Sequence, residues 1–380
     1  MNLLVPALGA FVSGFFPALV ASALVCYAAL PGFSTGDLSF VASALFFGKV
    51  AASVFGGWLS DRMGRSAAIR SAGAVSVFAA VPLVLGRNTF VSVVFGMGLE
   101  GFALGLFSIL LPLHLVETQP LLRQGRASAE YQFCNTAGLL AGAFVGLIVA
   151  ASDAEPSVAV RIEFLVFLPV AVLFLMLSFG LTGGDCRTGR NRQTCPWRPF
   201  ARPLLRAVAL LSLTSAMGIG VISCSAVLLL QRVGLEGASS NGVYFALGFV
   251  SLAAAGLSGL VQKRANRLTV LQIGSVGTVV SLVLMAIAFA RLLPACFAVF
   301  LLLYMGFFVF GPGAAAWTIA GDLLPQEIRA KGMSLALLAN QLITALLTAA
   351  FLPLAARIGF VPIFLFFSGA AIAYCVLVRV

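Results

Sequence analysis

Apolar runs of about twenty residues recur along the whole chain, and short clusters of charge, proline and glycine separate them. Cutting at those breaks yields twelve segments, near 3–28, 38–60, 67–86, 90–114, 128–151, 162–182, 204–231, 239–261, 269–290, 294–320, 333–356 and 359–379. Each is long enough for a helix rising about 1.5 Å per residue to cross roughly 30 Å of hydrocarbon. The runs are continuous rather than alternating, so they predict helices and not the strands of a membrane barrel. The pattern therefore reads as an all-α integral membrane protein with twelve transmembrane helices.

Composition agrees. Hydrophobic residues fill 61% of the 380 positions and charged residues only 9%, so a soluble domain of this size would lack the polar groups to cover its surface. The first segment has no basic region or small-residue cleavage site before or after it and reads as a retained helix, not a removed leader. The basic residues predict the orientation. With both termini cytoplasmic, the loops and tail on that side carry seventeen Arg and Lys against five outside, and Lys49 lies within a segment. The net charge of +11 is then mostly topology, and no soluble basic surface remains for nucleic acid. The expected setting is the lipid bilayer of a cell membrane, inner or plasma, with the chain working as a monomer.

The longest polar stretch, "GGDCRTGRNRQTCPWRPFARP" at 183–203, divides the chain into halves at 1–182 and 204–380 and reads as a cytoplasmic linker. Its Cys186 and Cys195 are too widely spaced for a zinc pair and are expected as free thiols. The halves resemble each other. Glu117 is followed three residues later by Pro120, and Asp322 by Pro325, each unit falling between the fourth and fifth segments of its half. Gly57, Arg62 and Arg65 line up with Gly259, Arg264 and Arg267 at a constant offset of 202 residues. Halves built as repeats, with a site between them, are the architecture of secondary transporters.

One stretch makes the resemblance specific. "GWLSDRMGR", Gly57 to Arg65, resembles the G-x-L-x-D-R-x-G-R signature of the major facilitator superfamily, between the second and third segments where that family carries it. The resemblance extends over the whole chain and implies two six-helix repeat halves that rock about a central cavity. It also implies a gating role for Gly57, Asp61, Arg62, Gly64 and Arg65. Glu117, Arg126, Asp322 and Arg329 would be charged members of the companion loops. Physically, glycines allow helices to approach closely, and an Asp can accept bonds from a nearby Arg or a helix N-terminus. Such a latch holds one side shut and must break when that side opens.

Within the superfamily, "GPGAAAWTIAGDLLPQEIRAKG" and "VETQPLLRQGRASAEYQ" resemble the corresponding stretches of the sugar-porter branch. That likeness puts Gln132, Trp317 and Asn340 at substrate-contacting positions. Thr214, Ser215 and Gly220 stand where sugar porters carry a Gln-Gln pair and an Asn, and the P-E-T-K-G type signature after the sixth segment is absent. A drug or metabolite exporter of the same fold is the alternative, although Met97 stands where the drug-antiporter signature has Arg. A receptor or scaffold that has lost transport is a second alternative. Gly138, Gly142 and Gly146 suit tight helix packing.

Titratable groups inside membrane segments are costly and mark function. Lys49, Glu100 and Glu130 are the candidates for ion coupling, protons included, and Lys49 and Glu100 sit at similar depth. His114 lies near a segment end and reads as a packed interfacial residue. "FGPG" at 310–313 predicts a kink in the tenth segment. No nucleophile elbow, phosphate loop or ligand cluster suggests an enzyme, a metal site or a cofactor. The expected function is movement of a small solute, a sugar, organic acid or similar metabolite, by alternating access.

Overall fold

The computed structural model describes residues 3–86, 88–118, 121–152, 154–181, 200–262, 267–325 and 328–379, but not the side chains of Asp61, Val116, Glu117, residues 121–129, Arg267, Ala314, Thr318, Ala330 and Arg379. Cys186, Cys195 and most of the expected linker lie outside the described residues. The first half contains α1 (Leu4–Ala29), α2 (Thr35–Met63), α3 (Arg65–Leu85), α4 (Phe90–Thr118), α5 (Leu121–Ala151) and α6 (Pro156–Ser178). The second contains α7 (Ala201–Ala216), α8 (Ile219–Arg232), α9 (Ala238–Val261), α10 (Arg267–Ala290), α11 (Pro294–Phe308), a π turn (Val309–Gly313), α12 (Ala314–Leu323), α13 (Arg329–Ile358) and α14 (Phe360–Arg379). Twelve stretches of helix are long and apolar enough to cross a membrane, as the hydropathy pattern predicts. Large apolar side chains such as Leu85 and Val91 stand exposed on the outside of the bundle, which suits hydrocarbon and not water.

The local chemistry sets where the helices begin and bend. Ser34 and Asp37 form a reciprocal capping box at the start of α2, the backbone N–H of Ser34 donating to the Asp37 carboxylate at 2.8 Å and the Asp37 N–H to Ser34 Oγ at 3.2 Å. Gly64 joins α2 to α3 at φ +83°, a left-handed conformation that glycine adopts without steric cost. Two segments predicted as single spans are broken. The seventh divides into α7 and α8 at Gly218, φ +85°, and the Tyr304 hydroxyl donates to the Met217 carbonyl beside the break at 3.1 Å. The tenth passes through a π turn containing Pro312, where the expected kink falls. The Phe310 carbonyl in that turn accepts from Ser258 Oγ at 2.6 Å.

Small residues bring backbones together in the first half. A Cβ on Gly14 of α1 would fall on the Asn135 carbonyl of α5, and one on Gly138 would fall on the Phe11 carbonyl. Gly48 of α2 and Gly101 of α4 meet the facing helix backbone in the same way. In a bilayer such close van der Waals packing replaces the hydrophobic drive available in water. Gly138, Gly142 and Gly146 all serve contact with α1.

The halves touch along three principal seams, α1 with α8, α2 with α13, and α5 with α9. The residues that meet there run from the end of the bundle opposite the Gly57–Arg65 loop to mid-depth. The Leu352 N–H donates to Ser39 Oγ at 3.1 Å, the Phe144 and Phe245 rings lie 5.6 Å apart, and Gly248 packs on Leu140. The half-helices nearest the signature end, α7 and α12, pack principally within their own half. Among the described residues, the contacts between the halves are thus seen at mid-depth and at the end opposite the signature loop.

Candidate gate and transport site

The signature residues sit where α2 ends and α3 begins. Arg62 is exposed and lays its guanidinium over the Trp58 ring, 5.2 Å from the centroid. Arg65 is half-buried beside His114 of α4. The Gly57 position faces open space rather than a neighbouring helix, and so does its repeat counterpart Gly259. The close approach expected of Gly57 is thus not seen among the described residues. In the companion loop of the second half, Asp322 is exposed, and Arg329 Nε donates to the Leu324 carbonyl at 3.2 Å. The side chains of Asp61, Glu117 and Arg126 fall outside the described residues.

The three positions suggested for substrate are not joined by any hydrogen bond or ring contact among the described residues. Asn340 is buried on α13, and its Nδ2 donates to the Leu211 carbonyl of α7 at 2.7 Å. That bond ties α13 to the half-helix beside the Gly218 break. Gln132 is half-buried on α5, and Trp317 is 37% exposed on α12. Both lie towards the signature end of their spans, with Asn340 nearer mid-depth.

The ion-coupling candidates separate more sharply. Glu100 is fully buried; its Oε1 accepts from Ser76 Oγ of α3 at 3.0 Å, while Oε2 has no hydrogen-bond partner. Lys49 places its ammonium 5.2 Å from the Phe46 ring centroid, within electrostatic reach of Glu100 and of Cys224 in the other half. Among the described residues no hydrogen bond joins Lys49 to Glu100, so their similar depth does not make them a contact pair. Phe46, Cys224 and Ala345 form a small apolar cluster across the seam, which sets Lys49 at the edge of the inter-half space. Glu130 is exposed near the signature end. His114 is fully buried with neither ring nitrogen hydrogen-bonded, a stricter burial than an interfacial position implies.

Hydropathy reasoning overlooked one acid. Glu163 of α6 is fully buried, with neither carboxylate oxygen hydrogen-bonded. The sequence pattern starts the sixth segment at residue 162, which leaves Glu163 at its rim, whereas α6 starts at Pro156 and carries the acid inside. The proline at the helix start was the available signal, since proline favours the first turn.

The described residues thus form twelve apolar spans with contacts between the halves at the end opposite the signature loop. The Major Facilitator Superfamily profile matches residues 7–348. The chain belongs to that family. It is 25% identical to D-xylose-proton symporter-like 1 of Arabidopsis thaliana over 94% of this chain and 82% of the relative. It is 23% identical to rat solute carrier family 2, facilitated glucose transporter member 2, over 87% of this chain and 72% of the relative. A solved D-xylose-proton symporter superposes with a TM-score of 0.85 at 19% identity, covering 99% of this chain and 96% of that one. The family and fold are those of multi-pass membrane transporters, not enzymes, and the chain is a transporter that moves a small solute by alternating access.

Proposed function

We propose that the protein carries a monosaccharide across a cell membrane, with protons as the coupling ion, and that it works as a monomer. The observation that supports this best is the set of contacts between the halves at the end opposite the signature loop, with Gln132, Trp317 and Asn340 all placed from mid-depth towards the signature end. Side-chain amides donate and accept at once and an indole offers a flat apolar face, a combination suited to a hydroxylated ring. The chain's sugar-carrying relatives supply the substrate class, and they include both a proton symporter and a facilitated carrier by name. In this reading the signature end and both termini face the cytoplasm, the halves 1–182 and 204–380 move as units about the 183–203 linker, and the structure is the inward-facing state. Asp61, Arg62, Arg65, Glu117, Arg126, Asp322 and Arg329 close the cytoplasmic side in the other state. Lys49, Glu100 and Glu130 are the groups considered for coupling.

The test is uptake of radiolabelled D-xylose and D-glucose into proteoliposomes, with and without an imposed proton gradient. Accumulation of either sugar above equilibrium when the gradient is present, and counterflow without it, is the expected result. Counterflow without accumulation would leave a facilitated carrier, and neither activity would remove the sugar assignment.

A further inference from the structure

We infer that Glu163 is a proton-binding site that couples protonation to closure of the end of the bundle opposite the signature loop. Among the described residues Glu163 faces no charged group, and Ser22 is a side-chain donor turned towards it. The side chains turned towards it come from α1, namely Ser22, Cys26 and Tyr27. The Tyr27 hydroxyl is itself buried without a hydrogen bond. The other helices packed on α6 are α3 and α5. Their charged residues, Arg65 and Arg70 on α3 and Arg123, Arg126 and Glu130 on α5, all lie near the signature end. Tyr131 and Cys134 of α5 lie there too. On α6 itself, Arg161 is exposed and donates to the Gly86 carbonyl at 3.4 Å, away from the acid.

The site connects to the seam between the halves. Gly146 of α5 sits between Ser22 of α1 and Asn241 of α9, so a Cβ there would come within 2.9 Å of Ser22 Oγ and 3.5 Å of Asn241 Oδ1. Asn241 Oδ1 is also buried and without a hydrogen bond. Glu163, Tyr27 and Asn241 therefore hold unpaired polar atoms on both flanks of Ser22 in the closed arrangement. An isolated carboxylate in so dry a place costs several kcal/mol or more, so the closed end takes Glu163 as the neutral acid. When α9 withdraws from α5, water reaches Asn241 and Ser22, and through them the acid, which ionises by losing its proton to the outer solution. Only an O–H bond is made or broken. By linkage, protonation favours closure as strongly as closure favours protonation, so lower pH on that side shifts the protein towards the closed end.

The site itself rests on the geometry; only its use in uptake rests on the proton-coupled reading above. The test is pH-difference infrared spectroscopy of the full-length protein in proteoliposomes. In the Glu100→Gln background the protein should show a titrating carboxylic C=O band that is lost on adding Glu163→Gln. A Glu100→Gln protein with no such band, or a band that survives the second substitution, would overturn the proposal. Should the doubly substituted protein fail to accumulate, Glu163→Asp in the same background must shift the band and its titration midpoint, and an unmoved band overturns it equally. D-xylose counterflow in wild-type vesicles reports on the transport reading alone. Its absence would sink that reading and leave the infrared result to decide this one.

Discussion

The two halves differ in build. In the first half six unbroken helices pack backbone to backbone through glycines, and the buried Glu100 and Glu163 and the half-buried Lys49 are set among them. In the second half two of the six spans are broken, at Gly218 and at the π turn. Its buried polar groups there are hydroxyls and amides such as Thr214, Ser258 and Asn340. Charge inside a membrane needs a rigid enclosure to hold it, whereas a neutral hydroxylated solute is met by amides and by backbone groups near helix breaks. The contrast places the buried carboxyl groups in the first half and the helix breaks in the second.

The largest effect should come from spoiling the tight packing of the first half. Gly14→Leu places a side chain on the Asn135 carbonyl, and overpacking of this kind costs about 1–3 kcal/mol or more. Thermal unfolding in detergent should show a drop of many degrees, and an unchanged midpoint would mean that α1 and α5 do not meet as described. Asn340→Ala comes next. It leaves the Leu211 carbonyl without its donor, an unpaired buried group costing roughly 1–3 kcal/mol, and it should weaken both α7 docking and apparent sugar affinity. Loss of stability alone, with affinity untouched, would restrict Asn340 to a structural tie.

How much of this division was legible beforehand differs between its parts. The twelve spans were, because a run of about twenty apolar residues has few other uses. The kink at Pro312 was legible because proline removes a helical hydrogen bond. The break at Gly218 was not, since one glycine in an apolar run is equally compatible with a continuous helix, and only the tertiary contact with Tyr304 marks it. Depth alone went only so far: Lys49 and Glu100 sit at similar depth and within electrostatic reach of each other, yet the hydrogen bond to Glu100 comes from Ser76, and a boundary placed six residues late hid Glu163. Gln132, Trp317 and Asn340 came from family likeness, and no pattern in hydropathy would have singled them out.

Smaller effects refine the contrast. Tyr304→Phe removes the hydroxyl that donates to the Met217 carbonyl beside the break, a loss of about 0.5–1.5 kcal/mol. Hydrogen exchange across residues 213–220 should quicken, and unaltered protection would deny that this bond steadies the break. The smallest effect is expected at Gly57→Ala. Nothing lies near its Cβ position here, so the stability of this state should change by less than about 0.5 kcal/mol. A large loss would show that the Gly57 position is packed against a neighbour.

The central claim is that the two ends of the bundle open in alternation, with the signature loop as the latch of one of them. It is tested most directly by spin-label distances between the halves, measured with one label pair at each end, in the native chain and in Asp61→Asn. The account predicts two populations whose distances change in opposite directions at the two ends, with D-xylose altering their ratio. Asp61→Asn should move the ratio towards the arrangement seen here, closed opposite the signature loop. A single distance at both ends, unmoved by sugar or by the substitution, would contradict it.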